Sequence, residues 1–354
     1  MSRSAACLSS PVAGVVVQTR PSRRVPVSND AATVTSNSQR NSDRRRAVAR
    51  QMCRAATDFP AKVGGWADVT EEGDAKQQGT AVADDKAAPV DPTTMFPYKH
   101  FPRITLALAL YFPIGCILAV FRMLLWVALL AVDLPFLSNN NFMIRVLHFI
   151  LGVNVKWRNK QLLPDGRYVM VSNHQTTGDL MCLYRLPHHI VHLISSAVPK
   201  AATKVRNHRL RLWHASPEVY NELSDPKQTE PVHLFPEGGM TNGKGMMQFS
   251  RGFMRFAKKL PIVPVALRIS QPFDISTHTL TSPFLVNMFF TCFLPWVSLE
   301  ATVLPPMKKD SQELNVAFVE RVQQKIADEL KVPIAELTIK QKRAMIAAAK
   351  SASA

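Results

Sequence analysis

The feature that most restricts how this chain can fold is an apolar run at residues 104–136, broken mainly by Pro113, Gly115 and Arg122. One straight helix of that length would extend about 50 Å, whereas the hydrocarbon core of a bilayer is about 30 Å thick. Residues 95–138 are therefore predicted as a tilted single transmembrane segment with Arg122 at the interface, or as a hairpin that bends near Pro113 and Gly115. We favour the membrane-embedded apolar hairpin, and a pair of buried core helices is the alternative without a membrane.

The segment before this run, residues 1–94, is predicted to be a disordered basic arm and linker. Its first 57 residues contain ten arginines, no lysine and two acidic residues. Such a composition buries too little apolar surface to offset the entropy of ordering the chain. An Arg-rich, Ser-rich and acid-poor N-terminus is also typical of organellar transit peptides. Two interpretations stay open here: a cleavable transit peptide, and a basic arm that touches anionic lipid.

The formal net charge of +17 favours an anionic partner. Basic stripes interleaved with aromatic residues, which mark nucleic-acid platforms, are not found in the sequence, whereas the apolar run has membrane dimensions. We therefore expect a phospholipid membrane and an acidic substrate as partners, and no nucleic acid. The five cysteines lack metal-ligand spacing, so no metal site is predicted.

Residues 139–335 are predicted to form one α/β domain, with a basic tail at 336–354 to which we assign no role. Short apolar segments alternate with helical patterns, which is typical of an α/β sheet. A sequence of the capping-box type at 310–313 predicts the start of a helix. The apolar residues of its buried face recur every four positions from Leu314. Strands are predicted at 153–157, 168–172, 233–235 and 262–267, and further helices at 142–151 and 245–259.

The sharpest local pattern is Ser-Asn-His-Gln-Thr-Thr-Gly-Asp at residues 172–179, in which His174 and Asp179 follow the end of a predicted strand. Residues five apart do not face each other on one regular helix. A turn that ends at a helix capped by Thr176 or Thr177 lets Asp179 fold back onto the imidazole. The carboxylate would then fix the tautomer of His174, which acts as a general base toward a substrate hydroxyl.

A second pattern, Leu-Phe-Pro-Glu-Gly-Gly-Met-Thr-Asn-Gly at residues 234–243, follows another predicted strand. Its glycines let the backbone pass close to a ligand, and amides at Gly238 and Gly239 can donate to a phosphate. The Glu237 carboxylate can accept hydrogen bonds from substrate hydroxyls or hold a basic group. Cations that suit an acidic head group follow at Lys244, Arg251 and Arg255.

Together the two patterns resemble the motifs of the glycerophospholipid acyltransferase family, which includes the lysophosphatidate acyltransferases. The family's first box is similar to Asn173, His174 and Asp179, its third to residues 235–238, and its fourth to the strand at 263–265. The resemblance covers about residues 140 to 310. It implies an α/β glycerolipid acyltransferase domain, acyl-CoA or an acyl-carrier protein as donor, a lysophospholipid or glycerol phosphate as acceptor, and no cofactor beyond the acyl-CoA co-substrate.

The resemblance also implies which residues contact the substrates. The family's second box, a Gly followed by an Arg, has no recognisable counterpart, so the nearby Arg206 and Arg209 join Arg251 as candidate phosphate ligands. After the third box many members carry an Arg where this chain has Asn242, and Lys244 is our candidate for the replacing cation. The predicted substrate-binding residues are Asn173, Phe235, Pro236, Glu237, Gly238, Gly239, Thr241 and Lys244.

A closer resemblance is to the ancient ubiquitous protein family of the endoplasmic reticulum and lipid droplets. It rests on residues 241–243 and 249–250, the apolar segment before the domain, and the helical pattern at 321–330. Members carry a ubiquitin-binding CUE domain downstream, which we do not expect in this chain. The resemblance implies the endoplasmic reticulum or a lipid droplet, whereas the N-terminal arm favours a plastid or mitochondrial membrane.

Overall fold

The computed structural model of the chain describes residues 92–131, 140–195 and 210–352. Seven strands form one sheet in the order β1-β7-β6-β2-β5-β3-β4. Neighbouring strands run parallel, except for β6 and β7, which are antiparallel. The strands are β1 (Val153–Arg158), β2 (Val169–Ser172), β3 (Ile190–Ile194), β4 (Leu210–His214), β5 (Val232–Leu234), β6 (Ile262–Ser270) and β7 (Val297–Val303).

Helices precede and connect these strands and cover the sheet. The α-helices are α1 (Pro92–Met95), α2 (Leu106–Ala131), α3 (Asn141–Ile150), α4 (Pro217–Leu223), α5 (Met254–Ala257), α6 (Phe284–Phe293), α7 (Asn315–Leu330) and α8 (Ile339–Ser351). Three 3-10 helices occur at Lys160–Leu162, Asp179–Arg185 and Arg251–Phe253.

The centre of the sheet is buried on both faces because apolar residues occupy successive positions of its strands. In β2, Val169 and Val171 pack into one apolar cluster with Phe318 of α7. Met170, between them, faces the opposite way and packs with Leu183 of the 3-10 helix Asp179–Arg185. Side chains alternate between the faces of a strand, so an all-apolar strand needs cover on both sides.

The predicted α/β class is confirmed, and so are the four predicted strands, to within a few residues of their ends. The helix predicted at 245–259 was wrong in length, since only residues 251–257 are helical, as the 3-10 helix Arg251–Phe253 followed by α5. The predicted capping box at 310–313 instead closes a turn in which the Asp310 amide donates to Glu313. Helix α7 then begins at Asn315, after Leu314.

Residues 106–131 of the apolar segment form one continuous helix, so the predicted hairpin that bends near Pro113 and Gly115 was wrong. Residues 106–128 of α2 are long and apolar enough to cross a membrane. One side of α2 packs on α6, where the Tyr111 hydroxyl donates to the Phe293 carbonyl at 2.6 Å. Gly115 leaves room for the Phe293 ring against the helix. Tertiary packing thus outweighs the single backbone hydrogen bond that Pro113 removes.

Arg122 is buried between helix ends, and its predicted place at a membrane interface stays a prediction. Its guanidinium donates to the carbonyls of Ile150 at 3.0 Å, Cys292 at 3.1 Å, Leu294 at 2.5 Å and Pro295 at 3.0 Å. These carbonyls lie at the C-terminal ends of α3 and α6, where the backbone lacks helical partners and carries partial negative charge. Arg122 therefore fixes the apolar helix α2 to the domain.

Replacing Arg122 with Met should lower the free energy of unfolding by about 3 kcal/mol or more, because four buried or half-buried carbonyls lose their donor. Thermal unfolding in detergent micelles measures the change. Arg145→Met, at an exposed position of α3, is the matched control. Equal melting temperatures for the two variants would show that Arg122 does not hold α2 in place.

Candidate active site

The two sequence patterns meet because they follow neighbouring parallel strands. Strand β2 ends at Ser172, two residues before His174, and β5 ends at Leu234, directly before Phe235. The two strands pair in parallel, with Val171 opposite Leu234. The carboxyl ends of parallel neighbours lie at the same edge of a sheet, which is where α/β proteins generally place their sites.

His174 and Asp179 form the predicted pair, with Nδ1 of the imidazole 2.9 Å from Oδ2 of the carboxylate. The Asp179 side chain is fully buried, whereas the His174 side chain is 20% exposed. Because the carboxylate only accepts hydrogen bonds, Nδ1 carries the proton and Nε2 keeps a lone pair. The imidazole is thus held in the tautomer that can act as a base.

The turn between β2 and the following 3-10 helix holds this pair in place by donating hydrogen bonds to Asp179. The carboxylate accepts hydrogen bonds from the amides of Gln175 at 2.6 Å and Thr176 at 3.1 Å, and from the Thr176 hydroxyl at 2.8 Å. The helix predicted after Thr176 or Thr177 is the 3-10 helix Asp179–Arg185, which has no side-chain cap. Two backbone amides and the Thr176 hydroxyl therefore set the position of the Asp179 carboxylate, although no Thr side chain caps the helix.

The ring of Phe235 packs against one face of the His174 imidazole. Its ring stacks on His174 with the centroids 3.9 Å apart and an angle of 5° between the planes. Edge-on contacts from His192 and His233 hold the Phe235 ring in turn. These two histidines are buried and hydrogen-bonded, with 2.7 Å between their Nδ1 atoms, and His233 also bonds Ser172 at 2.9 Å. Phe235 thus limits the imidazole to one plane.

Glu237 connects the two patterns from inside the protein. It is completely buried, Oε1 accepts the His174 amide at 2.9 Å, and Oε2 accepts the Met247 amide at 2.9 Å. Burial raises the pKa of the Glu237 carboxyl to about 8, against the opposing effects of these two amides and of the Lys342 cation. The predicted contact with substrate hydroxyls stays a prediction, and the structure gives Glu237 a positioning role.

Asn173 and Thr241 fix the backbone on both sides of His174. The Asn173 side chain exchanges two hydrogen bonds with the backbone of Leu267 in β6, at 2.7 and 2.9 Å. The Thr241 amide donates to the His174 carbonyl at 2.9 Å. Both residues are buried, so their substrate contacts also stay predictions. Together with Glu237, they hold His174 from β6 and from the loop after β5.

The remaining predicted residues are spread more widely. The Pro236 carbonyl accepts the Ser250 amide, and Gly238, at a φ of +70° that favours glycine, donates its amide to the Phe235 carbonyl. That amide donates within the turn, and its predicted contact with a phosphate stays a prediction. Gly239 lies against α8, as described below, and Lys244 and Arg251 are exposed. Arg206 and Arg209 lie outside the described residues.

Lys342 of α8 is the site residue that the sequence analysis missed. Its ammonium group donates to the Met240 carbonyl at 2.5 Å, although the two residues are about a hundred positions apart. Burial lowers the pKa of Lys342 to about 8, and the negative charge of Glu237 opposes this shift. Lys342 lies in the basic stretch Lys340-Gln-Lys-Arg343, which carries no local signal for such a distant contact. The basic tail predicted at 336–354 is therefore largely a helix that packs beside the site.

The geometry places a His-carboxylate pair at the carboxyl ends of neighbouring parallel strands, and this part of the chain is similar to known proteins. Residues 154–268 match the family model described as Acyltransferase. The matched range includes both patterns and the β6 contact of Asn173. Residues 154–268 are thus similar to the acyltransferase family, which agrees with the resemblance inferred from the sequence.

Two named relatives show how far the likeness extends. The lipid droplet-regulating VLDL assembly factor AUP1 of Danio rerio is 29% identical over 69% of this chain and 59% of its own length. Glycerol-3-phosphate acyltransferase 3 of Mus musculus is 23% identical over 55% of this chain and 49% of its own length. The chain thus spans about half to three fifths of these relatives.

Among solved structures, the chain aligns with the 1-acyl-sn-glycerophosphate (LPA) acyltransferase PlsC from Thermotoga maritima. The identity is 12%, the TM-score is 0.44, and the alignment covers 63% of this chain and 96% of that chain.

Buried histidines beside the site should make the fold sensitive to acid. Burial lowers the pKa of His192 to about 3, and the pKa of His233 also lies well below its usual value because of burial. In the unfolded chain these two histidines bind protons near pH 6.5, whereas in the folded protein they stay neutral to a lower pH. The stability that is present above pH 6.5 is therefore lost as the pH falls toward 3. Replacing His192 with Gln should reduce the slope of stability against pH by about 1.4 kcal/mol per pH unit between pH 6 and 4.5.

Melting temperatures of the two proteins across this pH range measure the slope. His189→Gln, at an exposed position three residues away, should keep the slope of the unmodified protein. If His192→Gln kept that slope as well, His192 would not be buried in its neutral form.

Proposed function

We propose that the chain is a membrane-associated enzyme that transfers a fatty acyl group from acyl-CoA to the hydroxyl of a lysophospholipid or glycerol phosphate. The observation that carries the proposal is the 2.9 Å contact between Nδ1 of His174 and the buried Asp179, beside an imidazole that is partly exposed. A buried acid that orients a reachable imidazole is the arrangement that general-base catalysis requires.

In the proposed reaction the acceptor hydroxyl supplies the nucleophile, so the protein needs none of its own. Nε2 of His174 takes the hydroxyl proton as the oxygen attacks the thioester carbonyl. The tetrahedral intermediate then expels the CoA thiolate, which receives the proton from the imidazolium. Asp179 stabilises that imidazolium while it exists. Thiols ionise near pH 8.5, so the leaving group needs little assistance, and the reaction as written uses no cofactor beyond the co-substrate.

A membrane setting for this reaction is supported by α2. Its exposed side carries large apolar residues along most of its length, such as Leu110, Ile117 and Leu124. Water-exposed apolar surface of that extent is unfavourable, whereas lipid tails would cover it. We propose the endoplasmic reticulum or a lipid droplet as the compartment, because the AUP1 relatives are named for droplet regulation. A plastid or mitochondrial membrane is the alternative that the N-terminal arm favours.

A fusion of residues 1–60 to a fluorescent protein distinguishes these compartments. We expect the fusion to stay diffuse in the cytosol, and residues 92–354 alone to reach the endoplasmic reticulum or droplets. Import of the fusion into an organelle would reverse the assignment, because transit peptides act without the domain that follows them.

The second candidate function is a non-catalytic adaptor on membranes or lipid droplets that keeps the acyltransferase domain as a scaffold. The name of the AUP1 relatives, which states regulation and assembly rather than catalysis, favours it. Against it stand the oriented His174 and Asp179, since a scaffold has no chemical need for a partly exposed imidazole held in its basic tautomer.

Thiol release from acyl-CoA by detergent-solubilised protein tests the two functions. We expect release that depends on lysophosphatidate, glycerol-3-phosphate or lysophosphatidylcholine, and its loss in His174→Ala. Asp179→Asn should lower kcat by at least about a hundredfold, because an amide does not stabilise the imidazolium as a carboxylate does. His189→Ala, at an exposed position, is the matched control. Equal background release by all four proteins with every acceptor would favour the adaptor.

A further inference from the structure

Helix α8 places one buried cation against the loop that holds His174. This loop, residues 235–243, is called the third-box loop below. Lys342 is 7% exposed, its ammonium group donates to the Met240 carbonyl, and the same group lies 4.6 Å from the centre of the Phe96 ring. A lysine is seldom buried unless its charge is matched, so this placement needs a reason.

The third-box loop determines where the imidazole sits. Phe235 at its start stacks on the ring, Glu237 accepts the His174 amide, and Thr241 donates to the His174 carbonyl. The loop therefore contacts both the backbone and the side chain of His174. Any shift of the loop moves the base away from the position in which Asp179 orients it.

Helix α8 packs so closely on the third-box loop that side chains at two glycines of the loop would crowd it. A Cβ atom at Gly239 would lie 3.2 Å from the Lys342 nitrogen and 3.0 Å from Ile339, and one at Gly238 would lie 3.3 Å from Ile339. Such distances are tighter than ordinary van der Waals contacts. The first turn of α8 is fixed in turn by Thr338 and Gln341, which form a reciprocal capping box.

Charge explains why a lysine occupies the position. Glu237 is completely buried, and Lys342 is the cation whose charge acts on it from α8. Its nitrogen lies over the ring of Phe96, which belongs to an apolar cluster with Met95 and Met345, and reaches the polar loop at Met240. A hydrogen-bond donor without charge could serve Met240, whereas a cation also favours the charged form of Glu237, against the effect of burial.

We propose that Lys342 is a positioning residue of the active site, through which α8 holds the third-box loop and hence His174 in the reactive arrangement. The proposal rests on the proposed function for its catalytic consequence. Helix α8 lies about seventy residues beyond the range 154–268 that matches the family model. Helix α8 thus lies outside the matched range and contacts a loop inside it.

Hydrogen exchange tests the positioning without requiring any substrate. The amides of Thr241 and Met247 donate to His174 and Glu237, so they report on the loop directly. In Lys342→Met they should exchange at least tenfold faster than in the unmodified protein. Lys342→Arg, which keeps the charge, should restore most of the protection. Arg343→Met, at the exposed neighbouring position of α8, should exchange like the unmodified protein.

Kinetics with acyl-CoA and the preferred acceptor supply the second measurement. Lys342→Met should lower kcat at least tenfold and change the KM for acyl-CoA less than twofold, since the displaced group is the base and not the donor site. Lys342→Gln, which keeps a donor for Met240 but removes the charge, is the second variant in case Lys342→Met does not fold. Its kcat should also fall, with a melting temperature close to that of Arg343→Met.

The two measurements separate the inference from the proposed function. Unchanged exchange and unchanged kcat in both uncharged variants would overturn the role of Lys342 even in an active enzyme. Faster exchange in a protein that shows no turnover with any acceptor would support the role of Lys342 and overturn the proposed function alone.

Discussion

One buried carboxylate sets the geometry on which the rest of the site depends. The two oxygens of Glu237 accept amides from His174 and Met247, which lie on different connections of the sheet. Hydrogen bonds in the low dielectric of the interior are stronger than those in water, and water does not compete for them there. The strand order already brings the two loops to the same edge, and Glu237 determines how far apart they lie.

Similar hydrogen bonds occur elsewhere in the fold, where ionisable side chains bind backbone groups at the ends of regular structure. Asp179 accepts the amides of the turn after β2, and Arg122 donates to carbonyls at the ends of α3 and α6. Arg167, just before β2, donates to the carbonyls of Leu223, Asp225 and Glu230 around the end of α4. Ends of helices and strands carry the backbone groups that lack regular partners. Matching them with charge lets this domain bury its loops.

The sequence predicts the parts of the site that depend on neighbours along the chain. The pairing of His174 with Asp179 follows from their spacing of five positions and the turn between them. The strands before both patterns follow from short apolar runs. Contacts between distant segments escape such reasoning. Nothing near Lys342 indicates Glu237. The hairpin predicted from Pro113 likewise does not occur, because the packing of α2 on α6 is not encoded within the apolar run itself.

Helix α6 physically connects the apolar helix α2 to the catalytic turn. At its C-terminal end it receives the Arg122 guanidinium, and one turn earlier the hydroxyl of Thr291 lies 3.0 Å from that of Thr177, in the turn between His174 and Asp179. Gly178 lies against the same side chain, with room for a Cβ atom only at 3.3 Å from Thr291. Each step of this path is a direct contact between packed elements, so α2 and the imidazole hold a fixed relation. For the proposed function that relation would matter, because a base that moved independently of a membrane-inserted α2 would meet the acceptor hydroxyl at varying depth and angle.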